Sequence, residues 1–327
     1  MVDSVTADQR QLNVLLVGEE AAAIQTLRSL AAGPHHVVAV MATPDAPAQA
    51  AGLWNTAQRM GFPTWPASLV KQDRLAQQVA DHAVDLILNV HSLFIMHPAV
   101  IQAARIGAFN MHPGPLPEYA GLNVPSWAIY HGETDHGVTI HEMVDQIDAG
   151  TIAYQQRFPI APEDTGMSLM LKCVRAGLPL LARLLEDAAI SKDQIPRIEQ
   201  HFQHRRYLYG AAPNNGHMCW HRSAMDVSNH VRAADYSPFA SPWGHPTNRY
   251  RGTTIGIAKT SRTGETCTVE PGTIGRIVQA GVLVAAEDEW IQVEKLEIHE
   301  KRVEARSVLS SGDRLEESSC QSLSLER

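Results

Sequence analysis

The sequence predicts an α/β protein, with a Rossmann-like parallel sheet in residues 10–190 and a small β-barrel domain in residues 204–302. Short apolar runs without charged residues alternate with helical segments in the first part, as in parallel sheets covered on both faces. In the second part, short strands separated by glycines predict the barrel. A chain of 327 residues has room for about two such domains.

The elements of the first domain follow from apolar runs and helical patterns in chain order. Strands are expected at residues 12–17, 37–41, 86–90, 107–112 and 137–141, and helices at residues 21–32, 50–60, 73–81 and 165–189. Pro179 lies inside the last helix and predicts a kink. Ligands of such sheets bind beyond the carboxyl ends of the strands, so we expect the site in the loops that follow them.

The second domain is predicted to begin after a linker at residues 191–203. A helix is expected at residues 222–233, and strands are expected at residues 253–258, 272–278, 282–285 and 290–296. Residues 303–327 end in a stretch that is rich in serine and poor in aromatic residues, which predicts a disordered tail.

Composition indicates a soluble protein. Hydrophobic residues make up 44% of the chain and charged residues 19%. No apolar run approaches the roughly 20 residues that a membrane helix needs. The polar amino terminus lacks the apolar segment of a secretion signal, so a cytoplasmic location is expected. The net charge of −8 argues against a large phosphate-binding surface.

Dinucleotide and metal sites are not expected. The turn after the first strand lacks the GxGxxG fingerprint, and Glu19 and Glu20 would repel a pyrophosphate at the start of the helix. We therefore expect no binding of NAD or NADP.

Three histidine pairs have spacings that could ligate a metal, but no matching cysteines or carboxylates accompany them. These pairs are His35 and His36, His201 and His204, and His217 and His221.

Polar groups cluster around two of the predicted strands. Asn110 and His112 are two residues apart at the end of the strand 107–112, so their side chains share one face. Asp148 lies in the loop after the strand 137–141. If the two strands are neighbours, the three side chains converge at one sheet edge. Each residue taken alone is more typical of local turns and caps.

The order of short motifs in this region resembles that of the folate-dependent formyltransferase family, which includes the methionyl-tRNA formyltransferases. The motifs are Asn-Met-His-Pro at residues 110–113, Leu-Pro-Glu-Tyr-Ala-Gly at 116–121, Gly-Val-Thr-Ile-His at 137–141 and Asp-Ala-Gly at 148–150. Several matches in one order are more specific than a single short motif. The resemblance spans most of the chain and implies an open β-barrel for the C-terminal domain.

The resemblance also implies the chemistry. The co-substrate would be 10-formyltetrahydrofolate, and Asn110, His112 and Asp148 would be catalytic. A carboxamide can donate to the oxyanion that develops on the formyl oxygen, and an imidazole can carry protons near neutral pH. Asp148 would orient and polarise His112. Whether His112 or Asp148 takes the proton of the attacking amine stays open.

Residues that bind the co-substrate and the acceptor are expected in the segments around Asn110, His112 and Asp148. By resemblance, a pterin would be held mainly by backbone groups at Leu88, Val90, Phe94, Ile95, Val144, Asp145 and Ile147. The acceptor would contact the loop after His112, at Pro115, Tyr119, Gly121 and Asn123. A rigid connector, with a simple turn at Gly121, is compatible with the same sequence. Arg205 and Arg206 could contact an anionic or aromatic substrate, but a solvated linker face is the expectation.

The acceptor amine is expected to be small or carrier-tethered rather than tRNA. Methionyl-tRNA formyltransferases typically carry basic residues after the second strand and in the Leu-Pro loop. Here residues 42–49 contain no lysine or arginine, and Glu118 and Ala120 lie in the loop. Residues 201–327 contain 15 lysines and arginines against 15 aspartates and glutamates. Binding of tRNA would favour a positive surface.

Residues 119–128 are closer to the formylation domains of peptide synthetases and related enzymes of specialised metabolism. We therefore expect an N-formyltransferase of natural-product biosynthesis, with a small or carrier-protein-bound amine as substrate and no membrane partner. The alternatives are a methionyl-tRNA formyltransferase, an amino-sugar formyltransferase, a formyltetrahydrofolate hydrolase and a non-catalytic folate-binding protein.

Overall fold

The structure, a computed structural model, describes residues 10–44 and 52–316. Contacts divide the chain into two compact units. Of the described residues, the first unit comprises those up to Ala120, Gly137–Arg157 and Lys172–Arg206, and the second comprises Gly121–His136, Phe158–Leu171 and those from Tyr207 onward. The chain therefore enters each unit more than once.

The described residues form the following strands and helices. The strands are β1 (Asn13–Gly18), β2 (His36–Ala42), β3 (Thr64–Pro66), β4 (Leu86–Val90), β5 (Gly107–His112), β6 (Ala120–Gly121), β7 (Asp135–Glu142), β8 (Ile152–Pro159), β9 (Tyr207–Leu208), β10 (Thr247–Tyr250), β11 (Thr253–Thr266), β12 (Ile274–Val278), β13 (Gly281–Ala285), β14 (Glu289–Ile298) and β15 (Lys301–Glu304). The α-helices are α1 (Glu20–Ala32), α2 (Leu53–Arg59), α3 (Leu75–Asp81), α4 (Pro98–Gln102), α5 (Val124–Tyr130), α6 (Gly166–Ile190) and α7 (Ala224–Ala233).

A seven-stranded sheet forms the centre of the first unit, in the order β3-β2-β1-β4-β5-β7-β8. The strands from β3 to β5 pair in parallel, whereas β7 pairs antiparallel with β5. The sheet is therefore mixed at one edge, and the α/β fold class is confirmed. All five residues of β4 are buried, as expected for a strand covered on both faces.

Strand register brings the polar residues of the first unit together. In the parallel pair of β4 and β5, Asn89 lies beside Asn110. In the antiparallel pair of β5 and β7, Asn110 lies opposite His141, and His112 lies opposite Thr139. The strands expected at 107–112 and 137–141 are thus neighbours, which is the condition for Asn110, His112 and Asp148 to converge. Residues at directly opposed positions have side chains close enough to interact.

The helices follow the predicted pattern with small shifts at their ends. The helix expected at residues 50–60 is α2, which begins at Leu53, and residues 45–51 lie outside the described part of the chain. The long helix α6 is assigned as one element with Pro179 inside it. In residues 10–44 and 52–316, no helix combines the length and the apolar character that a bilayer span requires.

The second unit contains an antiparallel sheet in the order β10-β11-β14-β13-β12, with β15 paired to β14. Helix α7 contributes Val227 and Val231 to the same apolar core as Ile257, Val284 and Ile291. Burial of such side chains is the main stabilising term for a sheet with one apolar face.

The predicted disordered tail is wrong for residues 303–316. Lys301–Glu304 forms β15, and a short 3-10 helix follows at Ala305–Ser307. The physical reason is that Leu309 and Leu315 are buried in the core of the second unit. Residues 317–327, the rest of the predicted tail, lie outside the described residues.

Candidate active site

His112 and Asp148 are brought together at the end of β5. The Nδ1 atom of His112 lies 3.6 Å from Oδ2 of Asp148, and both side chains are buried. The other nitrogen of His112, Nε2, donates a hydrogen bond to the carbonyl oxygen of Tyr119 at 2.6 Å. An imidazole that is fixed at both nitrogens has a defined orientation, as an acid–base group requires.

His141 is a site residue that the sequence did not single out. Its Nε2 lies 3.4 Å from Oδ1 of Asp148 and 3.1 Å from Nδ2 of Asn110. Its Nδ1 donates to the carbonyl oxygen of Glu142 at 2.9 Å. The strand predicted at residues 137–141 indicates on which face of the sheet the side chain of His141 lies. Only the pairing with β5 reveals that His141 lies opposite Asn110.

Asn89 is a second such residue and fixes the amide of Asn110. The Nδ2 of Asn89 donates to Oδ1 of Asn110 at 2.9 Å, from a buried position on β4. Because Oδ1 is occupied, the NH2 group of Asn110 lies on the side of His141. Asn110 is thus held as a hydrogen-bond donor, which is the role an oxyanion would need.

Replacement of Asn89 by leucine is expected to lower kcat by roughly 2- to 10-fold, because a neutral hydrogen bond contributes about 0.5–1.5 kcal/mol. KM for the co-substrate that the resemblance implies, 10-formyltetrahydrofolate, should change little. The measurement is steady-state kinetics with an acceptor that the wild-type protein uses. Asn13→Leu, at the amino end of β1, is the matched control. Equal kcat values for Asn89→Leu and the wild type would show that Asn110 is oriented by other contacts.

Burial dominates the electrostatics around His112. Burial lowers the pKa of His112, Asp148 raises it, and His141 and Arg205 lower it. The neighbouring His91 is half-buried, and desolvation of its ring, followed by the charge of His112, lowers its pKa to about 4. Its Nε2 has no hydrogen-bond partner among residues 10–44 and 52–316. Both imidazoles therefore favour their neutral forms.

Asp148 is held by its backbone as well as by its side chain. It has a left-handed conformation, with φ of 52°. Its carbonyl oxygen accepts from Nε2 of Gln200 at 3.1 Å and from Nη1 of Arg205 at 3.2 Å. Arg205 also donates to the carbonyl of Ile147 at 2.7 Å, and Gln200 donates to that of Gly150 at 2.7 Å. A strained conformation persists only where several contacts impose it.

These contacts correct the expectation that Arg205 and Arg206 lie on a solvated linker face. Both side chains are half-buried. Arg205 binds the loop of Asp148, whereas the guanidinium of Arg206 lies 4.4 Å from the ring centre of Tyr119. A cation over an aromatic face is stabilising. The two arginines therefore support the two loops that flank His112.

A cleft of about 550 Å³ is formed by other residues of β5 and of the loop before Asp148. It is lined by apolar side chains of β5 and α4 and by the loop that leads to Asp148. The lining residues are Ile101, Gln102, Ala104, Ile106, Gly107, Ala108, Glu142, Met143, Val144, Asp145 and Gln146. Ala108 is two residues before Asn110, so it shares a face of β5 with it.

The residues predicted to bind a pterin fall into three groups. Val144 and Asp145 line the cleft, and Ile147 follows them in the same loop. Ile95 is exposed. Phe94 is half-buried beneath the Nζ of Lys71, which lies 4.9 Å from its ring centre. Leu88 and Val90 are fully buried in β4. The side chains of these last two residues belong to the sheet core rather than to the cleft.

The residues predicted to bind the acceptor are divided between the units. Pro115 and Tyr119 are buried in the first unit. Gly121 and Asn123 belong to the second unit. Gly121 has φ of +98°, and a Cβ there would lie 2.1 Å from the carbonyl oxygen of Leu208. Asn123 precedes α5 and donates to the carbonyl of Gly210 at 3.0 Å.

No group of three histidine, cysteine or carboxylate side chains in the described ranges, 10–44 and 52–316, is arranged to hold a metal ion. Hydrogen bonds and short contacts connect Asn110, His112, His141 and Asp148. These contacts bring an amide donor and an acid–base pair together at the end of β5.

Comparison with protein families gives two matches. The family described as formyl transferase matches residues 8–185, and the family described as formyl transferase, C-terminal domain, matches residues 212–312. The first match alone covers more than half of the chain.

Solved structures share the fold. An N-formyltransferase from Helicobacter canadensis, in complex with folinic acid and dTDP-3-aminofucose, is 18% identical, with a TM-score of 0.65 over 87% of this chain and 99% of that one. A sugar N-formyltransferase from a Shewanella species is 19% identical, with a TM-score of 0.58 over 76% and 97% of the two chains. HypX from Aquifex aeolicus, in complex with tetrahydrofolic acid, is 16% identical, with a TM-score of 0.64 over 91% of this chain and 47% of HypX.

Proposed function

The chain belongs to the formyl transferase family and is a formyl-transferring enzyme, and we propose that it moves the formyl group of 10-formyltetrahydrofolate to the amine of a small or carrier-tethered acceptor. The observation that carries this proposal is the convergence of Asn110, His112 and Asp148 at the end of β5, on a strand and a loop that also contribute residues to a cleft. Two proteins of the same fold bind folates, folinic acid in one and tetrahydrofolic acid in the other.

The cleft suits the pterin end of the donor. Ile101, Ala108 and Met143 provide apolar walls, and the polypeptide of residues 144–146 provides backbone donors and acceptors. A flat heterocycle with alternating donors and acceptors along one edge is bound well by such a slot. The predicted contacts at Val144 and Asp145 are consistent with this placement.

The reaction requires three functions. The amine nitrogen bonds to the formyl carbon, the bond from that carbon to the folate nitrogen breaks, and one proton passes from the amine to the leaving nitrogen. We assign Asn110 to the oxyanion that forms on the formyl oxygen, and His112 to proton transfer and to the same oxyanion. Asp148 orients and polarises His112. Oxyanion donors typically contribute ~10²–10³ to the rate.

Charge placement supports a small acceptor. Two positive side chains beside the site, Arg205 and Arg206, contact the Asp148 loop and Tyr119. Glu118 is paired with Arg157 at 3.4 Å. A tRNA would need several free cations for its phosphates. We propose an acceptor of natural-product metabolism, with amino sugars as the second candidate, because an aminosugar nucleotide is bound by one protein of this fold.

The proposal is tested by formyl transfer from 10-formyltetrahydrofolate to a panel of acceptors. The panel contains free small amines, aminoacyl groups on a carrier protein, nucleotide-linked amino sugars and initiator methionyl-tRNA. We expect transfer to one of the first three classes, with a rate that changes little between low and physiological salt. Efficient transfer to methionyl-tRNA that collapses over that salt range would overturn the acceptor assignment, since phosphate contacts make binding steeply salt-dependent.

Two controls separate the chemistry from the acceptor. Release of formate without any amine would identify a hydrolase. Calorimetry should detect binding of tetrahydrofolate and none of NADP, because the turn at Glu19 and Glu20 lacks a phosphate cradle. Nicotinamide binding without folate binding would overturn the proposal as a whole.

A further inference from the structure

Two polar atoms at the carboxyl end of β4 are buried and have no hydrogen-bond partner among residues 10–44 and 52–316. One is Oδ1 of Asn89, a residue that is 7% exposed, and the other is Nε2 of His91. Buried polar atoms are rarely left without a partner, because burial removes the water that would otherwise bind them. The two atoms therefore indicate a polar group that binds at this end of the strand.

Hydrogen bonds across three strands fix the orientation of the Asn89 amide. Nδ1 of His141 faces the carbonyl oxygen of Glu142, which can only accept, so Nδ1 carries the hydrogen. In the neutral ring Nε2 is then an acceptor, and Nδ2 of Asn110 donates to it. The oxygen of Asn110 in turn accepts from Nδ2 of Asn89. The end of the Asn89 amide without a partner is thus its oxygen, and an oxygen requires a donor.

His91 contributes the second atom from a strained backbone. It follows β4 directly and has φ of 58°, a conformation that costs energy for residues other than glycine and is often found at binding sites. Val90 pairs with Met111, so His91 and His112 follow their strands at the same end of the sheet. The lowered pKa of His91 keeps its ring uncharged at neutral pH, and an uncharged ring does not repel a cation.

The two amides present opposite groups to a ligand. Asn89 and Asn110 are register partners on neighbouring strands, which lie about 4.8 Å apart. An amide nitrogen has two hydrogens, so Asn110 retains one for the formyl oxygen after it donates to His141. Reacting atoms approach to roughly 3–3.5 Å before a bond forms. We infer that Oδ1 of Asn89 and Nε2 of His91 bind the N–H groups of the attacking amine, an inference that rests on the proposed function.

An amine held in this way has a defined orientation. A neutral primary amine has two N–H groups and one lone pair. When Asn89 and His91 each accept one hydrogen, the lone pair is left for the formyl carbon. The site therefore selects primary amines, because a secondary amine has only one hydrogen for the two acceptor atoms.

The kinetic test compares Asn89→Leu with Asn89→Asp, using the panel acceptor that the wild-type protein formylates fastest. Leucine removes both ends of the amide, whereas aspartate keeps an oxygen for the amine. We expect kcat to fall in both variants. The acceptor KM should rise about 2- to 10-fold in Asn89→Leu only, as for loss of one hydrogen bond. An unchanged acceptor KM in Asn89→Leu, or an equal rise in Asn89→Asp, would overturn the inference.

A second variant, His91→Gly, removes Nε2 and leaves a residue that adopts the left-handed backbone readily. The matched control is Ala83→Gly, at a position before β4 with φ of 52°. We expect the acceptor KM to rise about 2- to 10-fold in His91→Gly and to stay unchanged in the control. Calorimetry should give the same Kd for tetrahydrofolate in both. Weaker tetrahydrofolate binding with an unchanged acceptor KM would assign the two atoms to the formyl donor and overturn the inference.

A binding measurement without catalysis uses the full chain labelled with nitrogen-15 at asparagine. The side-chain NH2 signal of Asn89 is assigned from the spectrum of Asn89→Leu. We expect methylammonium to move this signal saturably. Tetramethylammonium has the same charge but no N–H group, so it should leave the signal unchanged. A shift with both ions, or with neither, would overturn the inference.

These measurements separate failure of the amine site from failure of the proposed function. If no acceptor of the panel is formylated but methylammonium alone moves the Asn89 signal, the function is wrong and the amine site is right. If an acceptor is formylated, and neither its KM nor the Asn89 signal responds as expected, the function is right and the amine site is wrong.

Discussion

Replacement of His112 by alanine is expected to lower kcat by at least ~10², the usual contribution of a positioned acid–base group. The imidazole is buried, is 3.6 Å from Asp148 and is fixed by the Tyr119 carbonyl, and alanine removes the only group at this position that can carry a proton. The measurement is single-turnover formyl transfer, which reports the chemical step without product release.

His112→Gln separates chemistry from packing. Glutamine can keep the hydrogen bond to the Tyr119 carbonyl, but its amide does not titrate, so we expect a loss as large as that of alanine with a smaller change in thermal stability. The control is His230→Gln, a buried histidine of α7 in the second unit. A rate near that of the wild type in either His112 variant, with the fold intact, would remove His112 from the mechanism.

Replacement of Asn110 by aspartate is expected to lower kcat by ~10²–10³, the loss seen when an oxyanion donor is removed. Aspartate has nearly the same shape, but it presents an acceptor where the amide presents a donor. It would also repel the developing negative charge. Because Asn89 holds Oδ1 of Asn110, the native NH2 group has a fixed direction, and the full loss should fall on kcat rather than on KM.

The series Asn89→Leu, Asn110→Ala and Asn110→Asp should therefore show increasing loss. The first variant only frees the amide, the second removes it, and the third replaces it with a charge. Circular dichroism and thermal melts show whether each variant folds. A series without this order, in correctly folded proteins, would contradict the assignment of Asn110 to the oxyanion.

The sequence predicted the sheet and the neighbours of His112 because those features follow from local patterns. Alternation along β5 put Asn110 and His112 on one face, and the loop after β7 supplied Asp148. The strand pairing then brought the groups together. The same local patterns could not reveal Asn89 or His141, because their contacts depend on register between strands that are distant in sequence.

The sequence of residues 191–206 did not predict that this segment contacts the Asp148 loop, because the contacts are long-range. Gln200 and Arg205 lie 52 and 57 residues from Asp148 along the chain, yet both bind its carbonyl oxygen. Likewise, a serine-rich end predicted disorder, whereas Leu309 and Leu315 are buried. These two leucines anchor an otherwise polar segment in the core. The overall composition of the segment does not reveal them, because polar residues outnumber them.

Gln200 and Arg205 donate hydrogen bonds to the carbonyl of Asp148. These bonds determine which segment of the chain could be transferred to another protein with its active-site geometry intact. A fragment that ends with α6 at Ile190 would contain Asn110, His112 and Asp148 but would lack the side chains that impose the left-handed conformation of Asp148. A chimera joined at that point would inherit the residues of the reaction without their geometry. The smallest transferable part must extend through Arg206, so the crossover point for any graft lies after the arginines.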